Sequence, residues 1–353
     1  MPTIYDVAKA AKVSPKTVSR VMNGDGPVRE KTRAAVRDAM AALGYVPSSA
    51  ARTMRSQRSG LVGIVTGALS GAPVDQGHTG LPELLIVQAA QRAFEGTRFT
   101  LMIADTGGDP ARVPHLLSTF AEHRVEGVIY VADYHRLVDM PVTPPGQRVV
   151  LVNCAEREAG GLPAILPDDE AGQAALTGWA LERGHRRIAY LTLPEGLRAT
   201  ELRLRGYRRA LEAAGLAYDP ELVTSGAADD AAPVRRAVEA LMTLTEPPTC
   251  ILCGNDSMAM RLYGVLRSMG LSVPGDVSVA GYDDHRAISE MLYPPLTTAV
   301  LPYGAMGARA AEILTSIIEG EPAPTEPLLV GGGVVPRDSV LAVGEAIQRG
   351  RET

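Results

Sequence analysis

From residue 60 to about residue 300 the chain alternates short apolar runs with longer amphipathic stretches. The runs Leu61–Val65, Phe99–Ala104, Gly127–Val131, Val149–Val152, Ile188–Leu193, Thr249–Cys253 and Val277–Gly281 read as buried strands. Residues 83–96, 170–183, 201–215 and 256–269 read as helices between them. Such alternation commits a chain to parallel α/β sheets, because parallel neighbours need a crossover and a helix usually supplies it. The units exceed one comfortable sheet. Two doubly wound parallel-sheet subdomains with a ligand cleft between them are expected.

The first 58 residues belong to something else. They hold eleven cations and four anions, a net +7, whereas the remainder carries −12 of the chain's overall −5. All four lysines of the protein lie within the first 31 residues. Net charge alone argues against nucleic-acid binding; its distribution argues for it. At 46% hydrophobic and 21% charged over 353 residues, wholesale disorder and a disulfide-dense scaffold are excluded. Three scattered cysteines suit a reducing cytosol, and Cys250-x-x-Cys253 lies in a strand-like run without a second ligand pair. No metal or cofactor is expected. No apolar stretch approaches the ~18 residues of a membrane span, and the N-terminus lacks a signal-peptide core. A cytoplasmic location follows as an expectation.

Residues 3–23 read as two short helices around a turn at Lys12-Val13. Thr3 can cap the first, with Asp6 three positions on, and Ile4, Val7, Ala8 and Ala11 form its buried face. Ser14 is a natural N-cap and Pro15 suits the first helical position. Val18, Val21 and Met22 then face inward, and Lys16, Ser19, Arg20 and Asn23 outward. A third helix is expected near 30–43, with Val36, Ala39, Met40 and Leu43 on its stripe and Gly44 at its C-cap.

Thr3–Ala11, Val13–Gly24 and Leu43-Gly44-Tyr45-Val46-Pro47 followed by Ala51-Arg52 closely resemble the LacI/GalR family of bacterial transcription regulators. So do Gly184-His185-Arg186-Arg187-Ile188, Arg203-Leu204-Arg205-Gly206-Tyr207, Asn255-Asp256-x-Met258-Ala259, Val273–Asp284 and Pro295-Leu296-Thr297-Thr298 in the body. The resemblance implies a helix-turn-helix domain at 1–46, a hinge at 47–59, and a body like the periplasmic sugar-binding proteins. Its subdomains are expected at 60–162 with 292–325 and at 163–291 with 326–341, followed by a tail at 342–353.

The resemblance also implies roles. Pro15, Lys16 and Arg20 occupy base-reading positions for the major groove; Lys and Arg can pair with guanine O6/N7, whereas Pro15 offers only apolar contact. Ser14, Thr17, Ser19 and Asn23 are the phosphate-positioning candidates. The hinge should insert an apolar side chain into the minor groove, here Met54, with Arg55 beside it. Arg203, Asn255 and Asp283 are the leading effector contacts, followed by Asn153 and Arg198, all near strand ends where α/β ligands bind. Such relatives carry aromatics after the first body strand and near 222–225. Thr66–Pro82 and Gly226–Asp229 have none, which weakens the case for sugar-ring stacking; His78 is the other polar side chain considered there.

The expected function is a homodimeric repressor of a sugar-uptake or catabolism operon, released from a pseudo-palindromic operator by a hydroxyl-rich effector. A corepressor-dependent regulator answering to a nucleoside, purine or other non-sugar metabolite is the alternative. A solute-binding protein is opposed by the basic head and the missing signal peptide. No P-loop, Gly-x-Ser-x-Gly, His-Glu-x-x-His or Gly-x-Gly-x-x-Gly motif suggests an enzyme.

Overall fold

The computed structural model describes residues 2–24, 26–46, 58–67, 81–158, 161–225 and 231–344. For Asn23, Leu81, Pro82, Ala231 and Pro233 it describes only the backbone. The chain divides into two compact units, Met1–Ser59 and Gly60–Thr353.

Among its described residues the first unit holds three helices, α1 (Ile4–Ala10), α2 (Pro15–Asn23) and α3 (Glu30–Leu43). Thr3 and Asp6 close a capping box: the Thr3 hydroxyl accepts from the Asp6 N–H at 3.4 Å, and the Asp6 carboxylate accepts from the Thr3 N–H at 2.7 Å. The turn places Lys12 at φ 55, and Ser14 Oγ accepts from Thr17 N at 3.1 Å to start α2. Val7, Ala8, Val18, Val21, Val36 and Ala39 form the core, with Ile4, Ala11, Met22 and Met40 against it. Leu43, expected on the apolar stripe, is 38% exposed. The helix ends there, and it is Tyr45, beyond the Gly44 cap, that folds back on the core.

The second unit carries two six-stranded sheets. The first contains β1 (Leu61–Thr66), β2 (Thr100–Asp105), β3 (Gly127–Val138), β4 (Arg148–Glu156), β5 (Ala164–Pro167) and β11 (Leu328–Val330), in the order β11-β5-β4-β3-β1-β2. The second contains β6 (Ile188–Thr192), β7 (Val223–Ser225), β8 (Cys250–Cys253), β9 (Ser278–Asp283), β10 (Thr297–Val300) and β12 (Val334–Val335), in the order β12-β10-β9-β8-β6-β7. Every pairing is parallel except β10 with β12. The helices are α4 (Leu81–Phe94), α5 (Val113–Glu122), α6 (Asp169–Glu182), α7 (Arg198–Ala213), α8 (Ala231–Met242), α9 (Asp256–Ser268), α10 (Arg286–Ser289) and α11 (Tyr303–Glu319).

Three of the expected subdomain limits move. Ala164–Pro167 pairs with β4, so the chain leaves the first sheet after Pro167, not after Leu162. Thr297–Val300 pairs with β9, so the second sheet keeps the chain through Val300 rather than releasing it at Met291. Leu328–Val330 pairs with β5, so the first sheet reclaims it there. These strands have three or four residues, too few for a periodicity signal, and only non-local pairing assigns them to a sheet.

Cys250 and Cys253 lie on β8 and are wholly buried, in two different core clusters. Residues three apart on a strand point to opposite faces, so this pair cannot chelate one ion. Among the described residues no group of His, Cys, Asp and Glu could hold a metal, and no helix is long and apolar enough to cross a membrane.

Candidate functional site

In the head, the buried Val18 and Val21 turn the opposite face of α2 outward. Lys16 and Arg20 are exposed on it and form no ion pair among the described residues. Pro15, Thr17 and Ser19 are half-buried, and Ser14 is exposed. The Ser14 and Thr17 hydroxyls lie 2.9 Å apart, so the cap organises one candidate phosphate contact against another. The Asn23 side chain, Met54, Arg55 and His78 lie outside the described residues.

In the body, both sheets share one winding order, β2-β1-β3-β4-β5 and β7-β6-β8-β9-β10. Crossovers reverse direction between the first and third strand of each, and the crevice outside those C-terminal strand ends is where such sheets bind ligands. A continuous row of contacts joins the two sets of ends. His135, late in β3, places Nδ1 2.7 Å from Asp169 Oδ2. Asp169, at the start of α6, accepts on Oδ1 from Arg203 Nε at 2.6 Å. Arg203 Nη1 donates to the Gly254 carbonyl just after β8 at 2.6 Å, and its guanidinium lies 3.6 Å over the Tyr282 ring. His135, Asp169 and Arg203 are 5%, 1% and 2% exposed. Burial pushes the Asp169 carboxyl up, but Arg203 and His135 together hold it below the ordinary carboxylate value.

The Arg-x-x-Gly spacing has a steric cause. A Cβ on Gly206 would collide with the Glu170 carbonyl, so only glycine lets α7 lie this close to α6. That approach brings Arg203, one turn earlier on α7, onto Asp169. Beside them, Asp283 ends β9 at φ 119 and Asp284 follows at φ 51. Strain of this kind persists where surrounding structure enforces it, and it concentrates at functional sites. The Asp283 carboxyl, pushed up by burial and drawn down again by Arg203, sits at about 7, and Tyr303 OH donates to it at 3.5 Å.

The expected effector residues separate under this geometry. Arg203 and Asp283 are brought together. Asn255 caps α9, its Oδ1 accepting from Met258 N at 2.8 Å, so only its Nδ2 is left for a ligand. The neighbouring Asp256 does not cap; it accepts from Thr298 Oγ1 and the His285 N–H, each at 2.7 Å, and locks α9 to β10. Asp284 anchors its loop by accepting from Arg337 Nη2 at 2.7 Å. Arg198 opens α7 and pairs with Glu201 at 2.6 Å. Asn153, at φ 60 in β4, is 2% exposed and donates through Nδ2 to Ala132 O at 3.1 Å.

Four groups escaped the sequence reading: His135, Asp169, Glu83 and Asp133. Asp169 was hidden in the acidic run Asp168-Asp169-Glu170, where Asp168 is the actual cap, accepting from Ala171 N at 3.0 Å. β3 runs seven residues past its expected end at Val131, and this extension carries Asp133, His135 and Arg136. Tyr134 from the same stretch packs against the core of the second subdomain. Glu83, near the start of α4, is 5% exposed and accepts from Thr66 Oγ1 at 3.1 Å. Burial, reinforced by Asp133, pushes its carboxyl up to about 7.

That shift carries a stability sign. The folded state holds the Glu83 proton more tightly than the unfolded chain, so its contribution falls as pH rises from about 4.5 through about 7. Glu83→Gln should therefore stabilise the body at pH 8, by up to about 3 kcal/mol, with the gain shrinking towards pH 5. Urea unfolding midpoints at the two pH values measure it; an equal effect at both would remove Glu83 ionisation as the cause.

A helix-turn-helix head and an α/β body of two parallel-sheet subdomains in one chain are the parts of a regulator of DNA binding. Residues 3–48 match the model of bacterial regulatory proteins of the lacI family, and residues 179–340 match the periplasmic binding protein-like domain. The transcriptional regulator GalR of Escherichia coli K12 is 32% identical, over 96% of both chains. The sucrose operon repressor of Escherichia coli is 33% identical over 91% of this chain and 94% of its own. The structure of the lac repressor dimer bound to operator and an anti-inducer superposes with a TM-score of 0.77 at 26% identity, covering 97% of this chain and 99% of that one. The chain belongs to the lacI family of bacterial regulatory proteins.

Proposed function

We propose that this protein is a cytoplasmic, homodimeric transcriptional repressor whose operator affinity is set by a small, hydroxyl-rich effector in the cleft of its body. The observation that carries the reading is the buried row His135–Asp169–Arg203–Gly254. It spans the facing strand ends of the two subdomains at their switch points, so a molecule lodged there contacts both subdomains at once. A ligand shifts a conformational equilibrium only through different affinities for the two states, and a bridging position provides that difference. Lys16 and Arg20 are assigned to base edges, and Ser14, Thr17, Ser19 and Asn23 to phosphates, with Pro15 as an apolar contact. Met54 and Arg55 are assigned to the minor groove.

The relatives' names place sucrose among the metabolic systems that such repressors govern, which favours a sugar-uptake or catabolic operon for this chain. Effector binding releases the DNA. Titration of the chain's own upstream DNA in gel shifts tests the reading. Affinity should fall steeply with salt, log K against log [salt] having a slope of about −0.9 per phosphate neutralised. An effector that binds the wild type should release that DNA, whereas Asp283→Ala should hold DNA normally and lose the release. Retained release in the variant removes Asp283 from the effector site. Salt-independent binding removes the phosphate contacts.

A further inference from the structure

The polar groups at the facing strand ends fall into two sets. Four cations at these strand ends are each paired with a carboxylate. Arg203 is held by Asp169, Gly254 O and the Tyr282 ring. Arg136 pairs with Asp133, Arg198 with Glu201, and Arg337 with Asp284. Among the carboxyls without an ion pair are Glu83 on the first subdomain, met by Thr66 Oγ1, and Asp283 on the second, met by Tyr303 OH. A third acceptor stands apart from both. Asn153 is 2% exposed, and its Oδ1 has no hydrogen-bond partner while its Nδ2 is tied to Ala132 O, next to Asp133. Leaving such an acceptor buried and unpaired is unfavourable, and a donor on a ligand removes that cost.

We propose that the effector is a hydroxylated primary amine, of the amino-sugar or amino-polyol class, with its ammonium at Glu83 and its hydroxyls donating to Asp283 and Asn153 Oδ1. The proposal rests on the cleft being the effector site. The two ends are not equivalent. Asp283 has the Arg203 guanidinium beside it, which offsets its charge, although Asp169 opposes that effect. Glu83 faces another carboxylate, Asp133, partly offset by Arg136. The Glu83 end is therefore the more negative, and a cation placed there gains a charge-assisted hydrogen bond in a poorly solvated setting. A phosphorylated sugar would meet these carboxyls, while Arg203, Arg136, Arg198 and Arg337 are each already paired with a carboxylate. A neutral sugar would donate to Glu83 without supplying the opposite charge. The Tyr282 ring is covered by Arg203 and offers a sugar no free face.

Isothermal titration of the full-length protein tests this with three matched sets: glucosamine, galactosamine, mannosamine and glucamine; glucose, galactose, mannose and glucitol; and the 6-phosphates of the three hexoses. At pH 8 at least one amine should bind at least tenfold more tightly than its hydroxyl parent, and no phosphate should bind better than its parent. Binding at pH 7 should release protons to the buffer, because the ammonium favours ionised Glu83, and affinity should fall below pH 7. Glu83→Gln, with its fold verified by circular dichroism and melting, should lose the tenfold preference. Asp283→Asn should weaken amine and parent alike. Parents or phosphates that equal the amines, no binding by any of the four amines, or a preference that survives Glu83→Gln would each overturn the proposal. Operator gel shifts separate the two claims. If hexoses bind and release DNA, the cleft reading stands and the amine falls. If an amine binds and DNA stays bound, the amine site stands and the release reading falls.

Discussion

Arg203→Ala should cost the body about 3–5 kcal/mol and abolish its response to effector. The figure is that for removing one partner of a buried ion pair, because the other charge is left without compensation. Asp169 is 1% exposed and would keep only His135. Gly254 O would lose its donor and Tyr282 its covering cation. Arg203→Lys should not rescue it, since an ammonium lacks the planar fork that reaches Asp169 and Gly254 O together. The pH dependence follows from Asp169, whose carboxyl lies below its ordinary value in the folded protein. Its stabilising contribution is present at neutral pH and is lost as pH falls through that lowered value. Arg203→Ala should therefore be far from wild type at pH 7 and converge on it in acid. Urea unfolding at a series of pH values decides this. A variant with an unchanged midpoint at pH 7 would show that the row contributes no stability.

Arg20→Ala should leave the head folded and change what it reads. Arg20 is exposed on α2, on the side away from Val18 and Val21, so its truncation opens no cavity. A bidentate arginine–guanine contact is worth about 1–3 kcal/mol of discrimination, or roughly 5- to 150-fold per half-site. In a two-fold dimer the loss occurs twice. Competition gel shifts on operators varied one base pair at a time should show relaxed preference at one position of each half-site, with the others kept. A uniform loss over all operators, with a shallower salt dependence, would make Arg20 a phosphate contact instead.

The two variants also mark where sequence reasoning reaches and where it stops. In the head nearly every feature is local. Thr3 and Asp6 cap a helix three residues apart, Ser14 and Pro15 start the next, and Gly24 and Gly44 end helices at φ 71 and 60. The one miss, Leu43, is a helix-end residue, where periodicity loses its meaning. In the body, the strands of five or more residues were legible from apolar runs, whereas β5, β11 and β12 were not. The length of β3 was missed for a different reason. Ala132–Val138 is a polar stretch that reads as a loop, and it is extended because β4 runs beside it and pairs at Arg136–Val138.

The amino-acid order by itself determined the helix caps of the head, the strand–helix alternation, the segregation of positive charge into the first 58 residues, and glycine at 206, where α7 crosses α6. Each depends on residues near one another in the chain or on the summed charge of a segment. Tertiary structure alone decided that Asp169 meets both His135 and Arg203, each 34 residues away, and that Asn255 caps while Asp256 braces. It also decided that Glu83 is buried and Asp283 half-buried, each without an ion-pair partner. The energy of a charge depends on how much water it loses and which charges it meets, and neither is set until distant segments pack.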